Sequence, residues 1–562
     1  MKNVFFGSLI GLPAGMILSW SYAQLICFYR GLMKAGTIFG YDYRIQFEYL
    51  TKNDWLIMFG ISLGCFILIL SINIKRYLYD GQREFDPFKR KNVVELSSDK
   101  RRAQHQPVPR EFLSKNSDGL TIGKYQNRYV TLPFKDSPEH ILIIGSPGSG
   151  KSTTLLNGLI WNFNFESKEK KLGAVLAIDV KPELQKKSAL SSSDDTKVIN
   201  PTIIGGADNY GFDLWYGLNQ KSSDDEIKER MEMIARAIVP DLSDDNIHFS
   251  SNAQKILSAF LMYGFRKGLS LADTIIRVMH VPVEDFIAEI VTDPDMKNHT
   301  KIVGKVKSFE GNNSDEFASI KDTLEKDLDI FDTESVKYCF SGNPNKVTPE
   351  DLINGTSVFL AIPDHLITMY KTIFGLIMEI CLKYLTSVPE EKLTDKRPVW
   401  CLIDEGGTVY VPSLLDVASR GRSKKIQLTI VAQSYSQLED LYGDKNARSI
   451  MDCCKTTIVF SCNDTKTAES ISKWTGYYRE TKLSYHSGGS LIDSNSSTNQ
   501  SVEYRPVMDI SDIKNLEKNN EVLAFVKGDR FLVQKAPYYT IPLLNKKSEE
   551  IVRRNLSAKE AE

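Results

Sequence analysis

The sequence predicts an α/β fold with a mostly parallel sheet, an all-α inserted domain and an N-terminal pair of transmembrane helices. Seven apolar, β-rich runs occur between residues 141 and 528, and several are separated by helical patterns. Residues 222–340 instead carry charge and helix formers, with hardly any such runs. Two runs near the N-terminus contain no charged residue. At 562 residues the chain is long enough for two or three domains.

The two charge-free runs predict membrane-spanning helices. Asn3–Tyr29 has no charged residue over 27 positions and Trp55–Ile74 has none over 20. Each is long enough to cross about 30 Å of hydrocarbon as a helix. A cleaved signal peptide would have a shorter apolar region followed by a small-residue cleavage site. The sequence therefore predicts spans at residues 4–28 and 55–74.

Flanking charge predicts that both termini face the cytoplasm. Residues 75–102 contain nine basic and five acidic residues, whereas residues 30–54 contain four basic and three acidic ones. Short segments rich in Lys and Arg stay on the cytoplasmic side of a membrane. The prediction is a multi-pass protein of the cytoplasmic membrane with a short outward loop. The basic segment could also contact anionic membrane lipid.

The soluble part begins with a predicted hairpin within residues 103–140, where GLTIGKYQNRYVTLPF alternates apolar and polar positions around turn residues. Core strands are predicted at residues 141–144, 173–179, 356–362, 398–404, 427–433, 456–462 and 521–528. Most of these runs are continuously apolar, which is typical of a parallel sheet covered on both faces.

Between the second and third core strands, helical spacing in DEIKERMEMIARAIV and AQKILSAFLMYGF predicts an all-helical insertion. A Ser/Asn-rich stretch from His486 to Gln500 predicts a mobile loop. The predicted domains are a membrane anchor at 1–80, a sheet domain at 81–185 and 345–545, a mainly all-α insertion at 186–344 and a flexible tail at 546–562.

A phosphate-binding loop lies in ILIIGSPGSGKSTT, residues 141–154, which contains the pattern G-x-x-x-x-G-K-[ST]. Glycines let backbone N–H groups surround phosphate oxygens. Lysine reaches the β- and γ-phosphates of ATP, serine can hold Mg²⁺, and the following helix directs its positive end at the triphosphate. The predicted nucleotide-binding residues are Gly145, Ser146, Pro147, Gly148, Ser149, Gly150, Lys151, Ser152 and Thr153.

A second motif follows the apolar run Val399–Ile403, which ends in Asp404 and Glu405. Acids at the end of a core strand are typical of the Walker B motif. Asp404 would hold Mg²⁺ through water, and Glu405 would act as the general base toward the attacking water. Buried strands that end in acids are common, so the pairing with Lys151 is what makes the motif specific.

Two further features complete the predicted catalytic set. Gln433 ends the run QLTIVAQ, where a polar side chain can sense the γ-phosphate or simply cap the strand. Between the two acids and this run lies the basic turn ASRGRSKK, which places four cations beside the predicted active site. One of its arginines could act in trans on a neighbouring subunit's nucleotide, or the turn could be a solvated basic surface.

Composition excludes a general electrostatic grip on nucleic acid. The net charge is -1 and the pI is about 6.7, so any DNA contact must be local. The eight cysteines include no C-x-x-C pair, which favours reduced thiols in a cytosolic body.

The order of these features resembles the TraG/TraD-type coupling proteins of type IV secretion and conjugation systems. The features are an N-terminal anchor, the phosphate loop, IDVKPEL, a helical insertion, CLIDEGG, SRGRSKKIQLTIVAQSYSQLEDLYG and DTKTAESIS. The resemblance covers roughly residues 110–545 and is most specific from Arg420 to Gly443. It departs at Gly406 and Gly407, where many relatives have an aromatic residue and a proline.

The resemblance implies a RecA-like, hexameric ATPase at the cytoplasmic membrane. Its implied partners are single-stranded DNA bound to a relaxase in a relaxosome, and the proteins of a type IV secretion channel. By motif it assigns catalytic roles to Lys151, Glu405, Gln433 and Arg422, and Mg²⁺ binding to Ser152 and Asp404. It favours Arg422 over Arg420 as the arginine finger, the residue that acts in trans on a neighbour's nucleotide. Two alternatives stay open: an FtsK-like double-stranded DNA translocase, and a receptor that hands over protein effectors under ATP control.

Overall fold

A computed structural model describes residues 11–35, 50–80, 104–115, 119–132, 139–163, 173–190, 195–240, 247–309, 314–486 and 497–561. These residues divide into two compact units. One contains residues 1–105 and 476–507, and the other contains residues 106–475 and 508–562. We call them the N-terminal unit and the sheet unit, and describe each by itself.

Sixteen strands occur in the described residues. They are β1 (Leu113–Ser114), β2 (Leu120–Tyr125), β3 (Arg128–Leu132), β4 (Ile141–Ile144), β5 (Ala174–Val180), β6 (Thr196–Ile199), β7 (Gly211–Phe212), β8 (Lys346–Val347), β9 (Ser357–Ile362), β10 (Val399–Asp404), β11 (Ile426–Ala432), β12 (Thr456–Val459), β13 (Tyr477–His486), β14 (Ser497–Pro506), β15 (Glu521–Val526) and β16 (Asp529–Gln534).

The α-helices of the same residues number nineteen. They are α1 (Gly11–Ala35), α2 (Lys52–Asp80), α3 (Lys151–Phe163), α4 (Glu183–Ser188), α5 (Asp224–Ile238), α6 (Ile247–Arg266), α7 (Leu271–His280), α8 (Val283–Thr292), α9 (Thr300–Lys307), α10 (Ser314–Leu328), α11 (Glu334–Lys337), α12 (Pro349–Ile353), α13 (Ile367–Ser387), α14 (Leu414–Arg420), α15 (Tyr435–Tyr442), α16 (Asp444–Cys453), α17 (Thr465–Trp474), α18 (Ile510–Lys514) and α19 (Pro542–Ala561).

The sheet unit is built on a twelve-stranded sheet with the order β1-β3-β2-β16-β15-β12-β4-β11-β10-β5-β9-β6. From β12 to β6 all neighbours are parallel, and the remaining strands pair antiparallel. The mostly parallel sheet is therefore confirmed, and so is the predicted hairpin, which is β2–β3. Every residue of β4, β5, β9, β10 and β11 is buried, as expected of strands covered on both faces.

Helices pack closely on this sheet. The helix α3 lies against it at Gly158, where a Cβ atom would lie 2.8 Å from the Trp400 ring and 3.2 Å from Leu120. Trp400 is buried, and its Nε1 donates to Thr429 Oγ1 at 2.9 Å. Because the indole is held in place, only glycine leaves room for the helix at this distance.

The all-α insertion is smaller than predicted. The sequence predicted it over residues 186–344, but β6 pairs in parallel with β9 and so belongs to the main sheet, and β7 pairs with β8 in a separate two-stranded sheet. The described residues between Asp224 and Leu328 form helices and contain no strand. This helical part opens with a capping box at Ser223 and has its own core, in which the rings of Phe260 and Phe286 stack 4.2 Å apart.

The C-terminal prediction was wrong. Residues 546–562 were expected to form a flexible tail, but α19 is a helix that packs on α4. Ser548 Oγ donates to Lys187 O at 2.9 Å, Asn555 Nδ2 donates to Ala189 O at 3.1 Å, and Ile551 is buried. The many charged residues of the segment led to the prediction of a flexible tail. They are compatible with packing because only one face of the helix contacts the rest of the sheet unit.

In the N-terminal unit, α1 and α2 form an antiparallel pair. At Gly15 a Cβ atom would lie 2.5 Å from Ser62 Cα, and Ser19 Oγ donates to Met58 O at 2.8 Å. Near the other end, Arg30 forms an ion pair with the buried carboxylate of Asp54. Small residues and satisfied polar groups of this kind allow apolar helices to pack closely.

Among the described residues, two helical segments are long and apolar enough to cross a membrane. Lys52–Ser71 is 6% buried and Asp364–Ser387 is 61% buried within the sheet unit, as a core helix would be. The predicted span 55–74 overlaps the first of these segments, in α2. The predicted span 4–28 overlaps α1, which is not one of the two segments, and residues 4–10 lie outside the described residues.

The same unit contains the long hairpin β13–β14, in which Tyr477 pairs with Pro506 and His486 with Ser497. The predicted mobile loop from His486 to Gln500 therefore includes strand residues at both ends, and residues 487–496 lie outside the described residues.

Replacing Gly158 with Ala should destabilise the protein by about 1–3 kcal/mol, because the new methyl group overlaps a buried indole that has no room to move. Replacing Gly304 with Ala is the matched control. Gly304 also lies within a helix, but no atom lies within 4 Å of its added Cβ, so that variant should gain about 0.5–1 kcal/mol. Thermal unfolding of both variants measures the difference. Equal stability of the two would contradict the close packing of α3.

A candidate nucleotide-binding site at the carboxyl edge of the sheet

The phosphate loop follows β4 directly, and its conformation requires glycine. Gly148 has φ 78° and Gly150 has φ 108°, in the region that L side chains rarely adopt. At Gly145 a Cβ atom would lie 2.5 Å from Ser149 Oγ. The loop is tied to the sheet because Gly145 N donates to Ala432 O at 3.2 Å.

The other loop residues differ in their surroundings. Ser146 Oγ lies 2.6 Å from Ser461 Oγ, and Thr153 Oγ1 donates to Gly150 O at 2.7 Å. Pro147 is exposed and Ser152 is half-buried at the start of α3. Ser149 Oγ is buried without a hydrogen-bond partner in the described part of the chain, so it could still accept or donate a bond.

Lys151 begins α3 and folds back over the loop. Its Nζ donates to Gly145 O at 2.6 Å and to Ser146 O at 3.0 Å. Burial lowers the pKa of this amine, and the nearby carboxylates of Glu405 and Asp404 act in the opposite direction. The ammonium group is therefore a buried donor at the place where a phosphate oxygen would have to lie.

Asp404 ends β10 and is buried. Burial raises the pKa of its carboxyl to about 7, and so do the charges of Glu405 and Asp179, while Lys151 and Lys181 act in the opposite direction. A buried carboxylate is strongly stabilised by a nearby cation. Raised pKa values of this kind are common among functional acids.

Glu405 is half-buried and has φ 78°. A left-handed conformation costs a residue with a side chain roughly 1–2 kcal/mol, so the surrounding structure must impose it. The bond from Gly406 N to Val431 O at 2.7 Å helps to do so, because it holds the chain against β11 immediately after Glu405. The strained residue is therefore the predicted general base.

The two glycines after the acid pair have a packing reason. A Cβ atom at Gly406 would lie 2.7 Å from Ile430 Cγ2, and one at Gly407 would lie 2.7 Å from Gln437 Cβ. Gln437 Oε1 in turn accepts from Gln433 N at 3.0 Å. The departure from the family pattern at these positions therefore brings the segment into close contact with the residues around Gln433.

Gln433 follows β11 and lies between the two motifs. Ala432 is paired with Ile144 just before the phosphate loop, and Val431 is paired with Asp404. The side chain of Gln433 is half-buried at this edge. The structure thus brings together the phosphate loop, the acid pair and Gln433, as the sequence predicted.

Two acids near the site were not predicted. Asp179 is the second-last residue of β5, is fully buried and accepts from the backbone N–H groups of Glu183, Leu184 and Gln185 at 2.9–3.0 Å. Burial raises the pKa of this carboxyl to about 6 in spite of these hydrogen bonds. A usable signal existed in the sequence, because Asp179 ends the predicted strand 173–179 as Asp404 ends the predicted strand 398–404.

The second unpredicted acid is Glu517, which accepts from Ser461 Oγ at 3.3 Å and so connects to Ser146 of the phosphate loop. Its charge also raises the pKa of Lys151, although less than those of Glu405 and Asp404. It lies more than 350 residues from the loop in sequence, and no local pattern could have identified it.

The basic turn does not lie beside this subunit's own phosphate loop, and that prediction was wrong. The turn precedes β11, and Lys425 O accepts from Val399 N at 2.9 Å, at the start of β10. It is therefore at the amino edge, separated from Gln433 by the seven residues of β11, or about 20 Å. The turn is close to Gln433 in sequence, but β11 lies between them and runs from one edge of the sheet to the other.

The four cations of the turn have different surroundings. Lys424 Nζ donates to Val388 O at 2.9 Å and Lys425 Nζ donates to Thr394 O at 2.8 Å. Arg420 forms an ion pair with Asp416 in the same helix, and Arg422 is exposed. Arg420 and Lys424 also border a cleft of about 730 Å³ between α5, α13 and α14.

No group of three His, Cys, Asp or Glu side chains among the residues described is arranged to hold a metal by itself. The hydroxyl of Ser152 and the carboxyl of Asp404 are hard oxygen donors. They suit Mg²⁺, which takes most of its ligands from water and phosphate and needs only one or two from protein.

Comparison with known proteins gives the following matches. The family model described as type IV secretion-system coupling protein DNA-binding domain matches residues 124–533. Coupling protein TraD of Escherichia coli K12 is 29% identical over 149 residues, which is 26% of this chain and 20% of TraD. Type IV secretion system-coupling protein VirD4 of Bartonella quintana is 26% identical over 162 residues, or 28% of this chain and 25% of VirD4. The aligned stretches thus span a quarter or less of these relatives.

Solved structures of the plasmid coupling protein TrwB share the fold. An unbound form has a TM-score of 0.57 at 18% identity, covering 76% of this chain and 90% of that one. A complex of TrwB with ADP and Mg²⁺ has a TM-score of 0.57 at 18% identity, covering 75% of this chain and 90% of that one.

Replacing Asp404 with Asn should stabilise the protein at high pH. The pKa of Asp404 is about 7 in the folded chain and about 4 when unfolded, so the folded state holds the proton more tightly and loses stability as pH rises between these values. The Asn variant lacks this loss, and at pH 8 its free energy of unfolding should exceed that of wild type by up to about 4 kcal/mol.

Urea denaturation at pH 5 and pH 8, with EDTA and without nucleotide, measures this difference. Asp225→Asn is the control, because that side chain is 73% exposed and should show no such gain. If the stability difference between Asp404→Asn and wild type is the same at pH 8 as at pH 5, the raised pKa of Asp404 is wrong.

Proposed function

Because the chain belongs to the type IV secretion-system coupling proteins, we propose that it is a membrane-anchored ATPase that recruits relaxase-bound single-stranded DNA and delivers it to a type IV secretion or conjugation channel. The observation that carries the enzymatic part is the common edge at which Gly145, Asp404 and Gln433 leave three neighbouring strands. The nature of the cargo and the channel is carried over from the family.

ATP binding begins with the phosphate loop. Backbone N–H groups of residues 146 and 148–151 would surround the phosphates, with Gly148 and Gly150 supplying the positive φ angles that this requires. Lys151 Nζ would exchange the carbonyl oxygens of Gly145 and Ser146 for phosphate oxygens. The exchange is favourable because a buried ammonium gains more from an anion than from a neutral carbonyl.

Ser152 and Asp404 would hold Mg²⁺, with Asp404 acting through water. Once bound there, Mg²⁺ neutralises charge on the β- and γ-phosphates and helps to orient them for hydrolysis. The proximity of Asp404 to Lys151 is consistent with both residues serving the same phosphates.

Hydrolysis requires a base and an orienting group near the γ-phosphate. Glu405 would accept the proton of the attacking water, and its strained backbone conformation directs it toward this edge. Gln433, which is held next to the acid pair through Gln437, would orient that water or contact the γ-phosphate. Both residues would lie next to a bound nucleotide without being part of the phosphate loop.

Arg422 would serve the nucleotide of an adjacent subunit. It lies at the amino edge of β11 and is too far from its own phosphate loop to contact the same nucleotide. A homo-hexameric ring would bring this edge of one subunit to the site of the next. A finger supplied in trans links hydrolysis to assembly, as befits a ring motor.

The N-terminal helices would anchor the ring in the cytoplasmic membrane, with both termini in the cytoplasm. The helix that contains Lys52–Ser71 has the length and hydropathy of a span. Its partner α1 packs against it through Gly15 and Ser19. The basic residues at 75–102 favour the cytoplasmic side and contact with anionic lipid.

Subunit mixing tests the finger. Lys151→Ala and Arg422→Ala should each reduce ATPase activity by about 10³-fold or more. In a 1:1 mixture of the two variants, about a quarter of the interfaces combine an intact phosphate loop with an intact Arg422, so part of the activity should return. The measurement is steady-state ATP hydrolysis by the assembled oligomer.

Arg420→Ala is the matched control for this experiment, because Arg420 lies two residues away and is paired with Asp416. It should retain most of its activity without mixing. Failure of the Lys151→Ala and Arg422→Ala mixture to recover any activity would rule out the trans role. Loss of activity in Arg420→Ala with full activity in Arg422→Ala would move the role to Arg420.

Single-stranded DNA should stimulate ATP hydrolysis more than double-stranded DNA of the same length. Its binding should weaken with salt at a slope of roughly 0.7 per phosphate contact, because local basic groups replace bound cations. ATPase assays with each DNA, together with the oligomer mass, check this. Equal or stronger stimulation by double-stranded DNA would favour an FtsK-like translocase, and no effect of DNA would favour a receptor for protein effectors.

A further inference from the structure

Lys181 lies at the same edge of the sheet as the nucleotide site but has no role in the mechanism above. It is the first residue after β5, which pairs with β10 so that Ile178 lies opposite Ile403. Asp179 is therefore level with Asp404, and Lys181 lies two residues further out. Its Cα atom is thus about 4.8 Å from the line of β10 and about 7 Å beyond the level of Asp404, at the edge where the acid pair ends that strand.

The backbone of Lys181 is held in an unusual conformation. Its φ is 76°, which a residue with a side chain rarely adopts. Two contacts impose it: Lys181 N donates to Ile362 O at 2.9 Å, and Asp179 accepts from the three amides that begin α4. The position of the Cα atom is thus determined by buried groups, while the side chain extends outward and is 61% exposed.

The side chain has a weak partner. Lys181 Nζ lies 3.3 Å from Asp364 Oδ2, and that side chain is 57% exposed. An exposed ion pair contributes little to stability, so a more highly charged anion can replace its acid easily. A lysine side chain reaches roughly 6 Å from its Cα, which is enough to cross one strand spacing toward β10.

Electrostatics place the same ammonium within range of the site. Burial is the main reason for the lowered pKa of Lys151 and the raised pKa of Asp404, but the charge of Lys181 contributes a lowering to both. Lys151 follows β4 and Lys181 follows β5, and these strands lie on opposite sides of β10, so two cations lie within electrostatic range of Asp404. A triphosphate carries enough negative charge to use both.

We propose that Lys181 is a second phosphate-contacting lysine, which exchanges Asp364 for the terminal phosphate of a bound nucleoside triphosphate and so distinguishes a triphosphate from a diphosphate. The proposal rests on the nucleotide site proposed above. A diphosphate bound in the loop would not extend to this side, so Lys181 would stay with Asp364.

The exchange would also reach beyond the site. Asp364 begins a short 3-10 turn, Asp364–Leu366, that runs into α13. In the middle of α13 the buried Glu379 accepts from Ser413 N at 2.8 Å and Ser413 Oγ at 2.7 Å, at the start of α14. Asp364 therefore lies directly before the helix that is bonded to the start of α14.

Lys181→Met tests the proposal in the full-length protein. Binding of Mg²⁺ with the non-hydrolysable ATP analogue ADPNP should weaken about tenfold or more, and binding of Mg²⁺ with ADP should change less than about twofold. Asp364→Asn should tighten ADPNP binding by about two- to fivefold, because it removes the competing acid, and should leave ADP binding unchanged. Isothermal titration calorimetry measures both ligands.

Lys527→Met is the matched control. Lys527 has φ 54°, is 50% exposed and lies 3.3 Å from Glu139, but it is at the amino edge of the sheet. It should bind both ligands as wild type does. Because Lys181, Asp364 and Lys527 are all exposed, these variants should fold normally, and thermal unfolding verifies that they do.

Two results would overturn the proposal: an unchanged affinity of Lys181→Met for ADPNP, or equal losses for ADPNP and ADP. Lys151→Ala distinguishes a failure of this inference from a failure of the nucleotide site. If Lys151→Ala weakens ADPNP binding and Lys181→Met does not, the site stands and Lys181 has no part in it. If neither variant weakens ADPNP binding, the nucleotide site itself is wrong, and this inference is overturned with it.

Discussion

The parallel register of four neighbouring strands is the constraint on which the candidate site depends. Ile144 pairs with Ala432, Val431 with Asp404, and the next strand pairs Ile403 with Ile178. The chain therefore leaves β4, β11, β10 and β5 at nearly the same level. A shift of one residue in any of these pairs would reverse the faces of its side chains and separate the phosphate loop from the acids.

Buried charge at this edge opposes folding and favours binding. Burial lowers the pKa of Lys151 and raises those of Asp404 and Asp179, so each group resists its own charged form. The backbone at Glu405 and Lys181 adds strain. The buried charges and the strain destabilise the folded chain at this edge, and a bound nucleotide and cation would offset that cost. Functional sites are where such locally unfavourable features usually occur in an otherwise consistent fold.

The candidate site and the arginine turn lie at opposite edges of the sheet. The candidate nucleotide site is at the carboxyl edge, while the arginine turn lies about 20 Å away at the amino edge. Inside the sheet unit, α13 connects the two, because Asp364 precedes it at one edge and its Glu379 holds Ser413 before α14. In the ring that we propose, each turn would lie next to a neighbour's site, and assembly would complete the catalytic set.

The sequence by itself determined the motifs and the local elements. The phosphate loop, the acid pair and the core strands are patterns of adjacent residues, and local backbone and burial preferences are enough to identify them. Only the tertiary structure decided that β6 joins the sheet, that α19 packs on α4, that the basic turn lies at the far edge, and that Glu517 and Lys181 approach the nucleotide site. These depend on contacts between residues distant in sequence, which local periodicity does not encode.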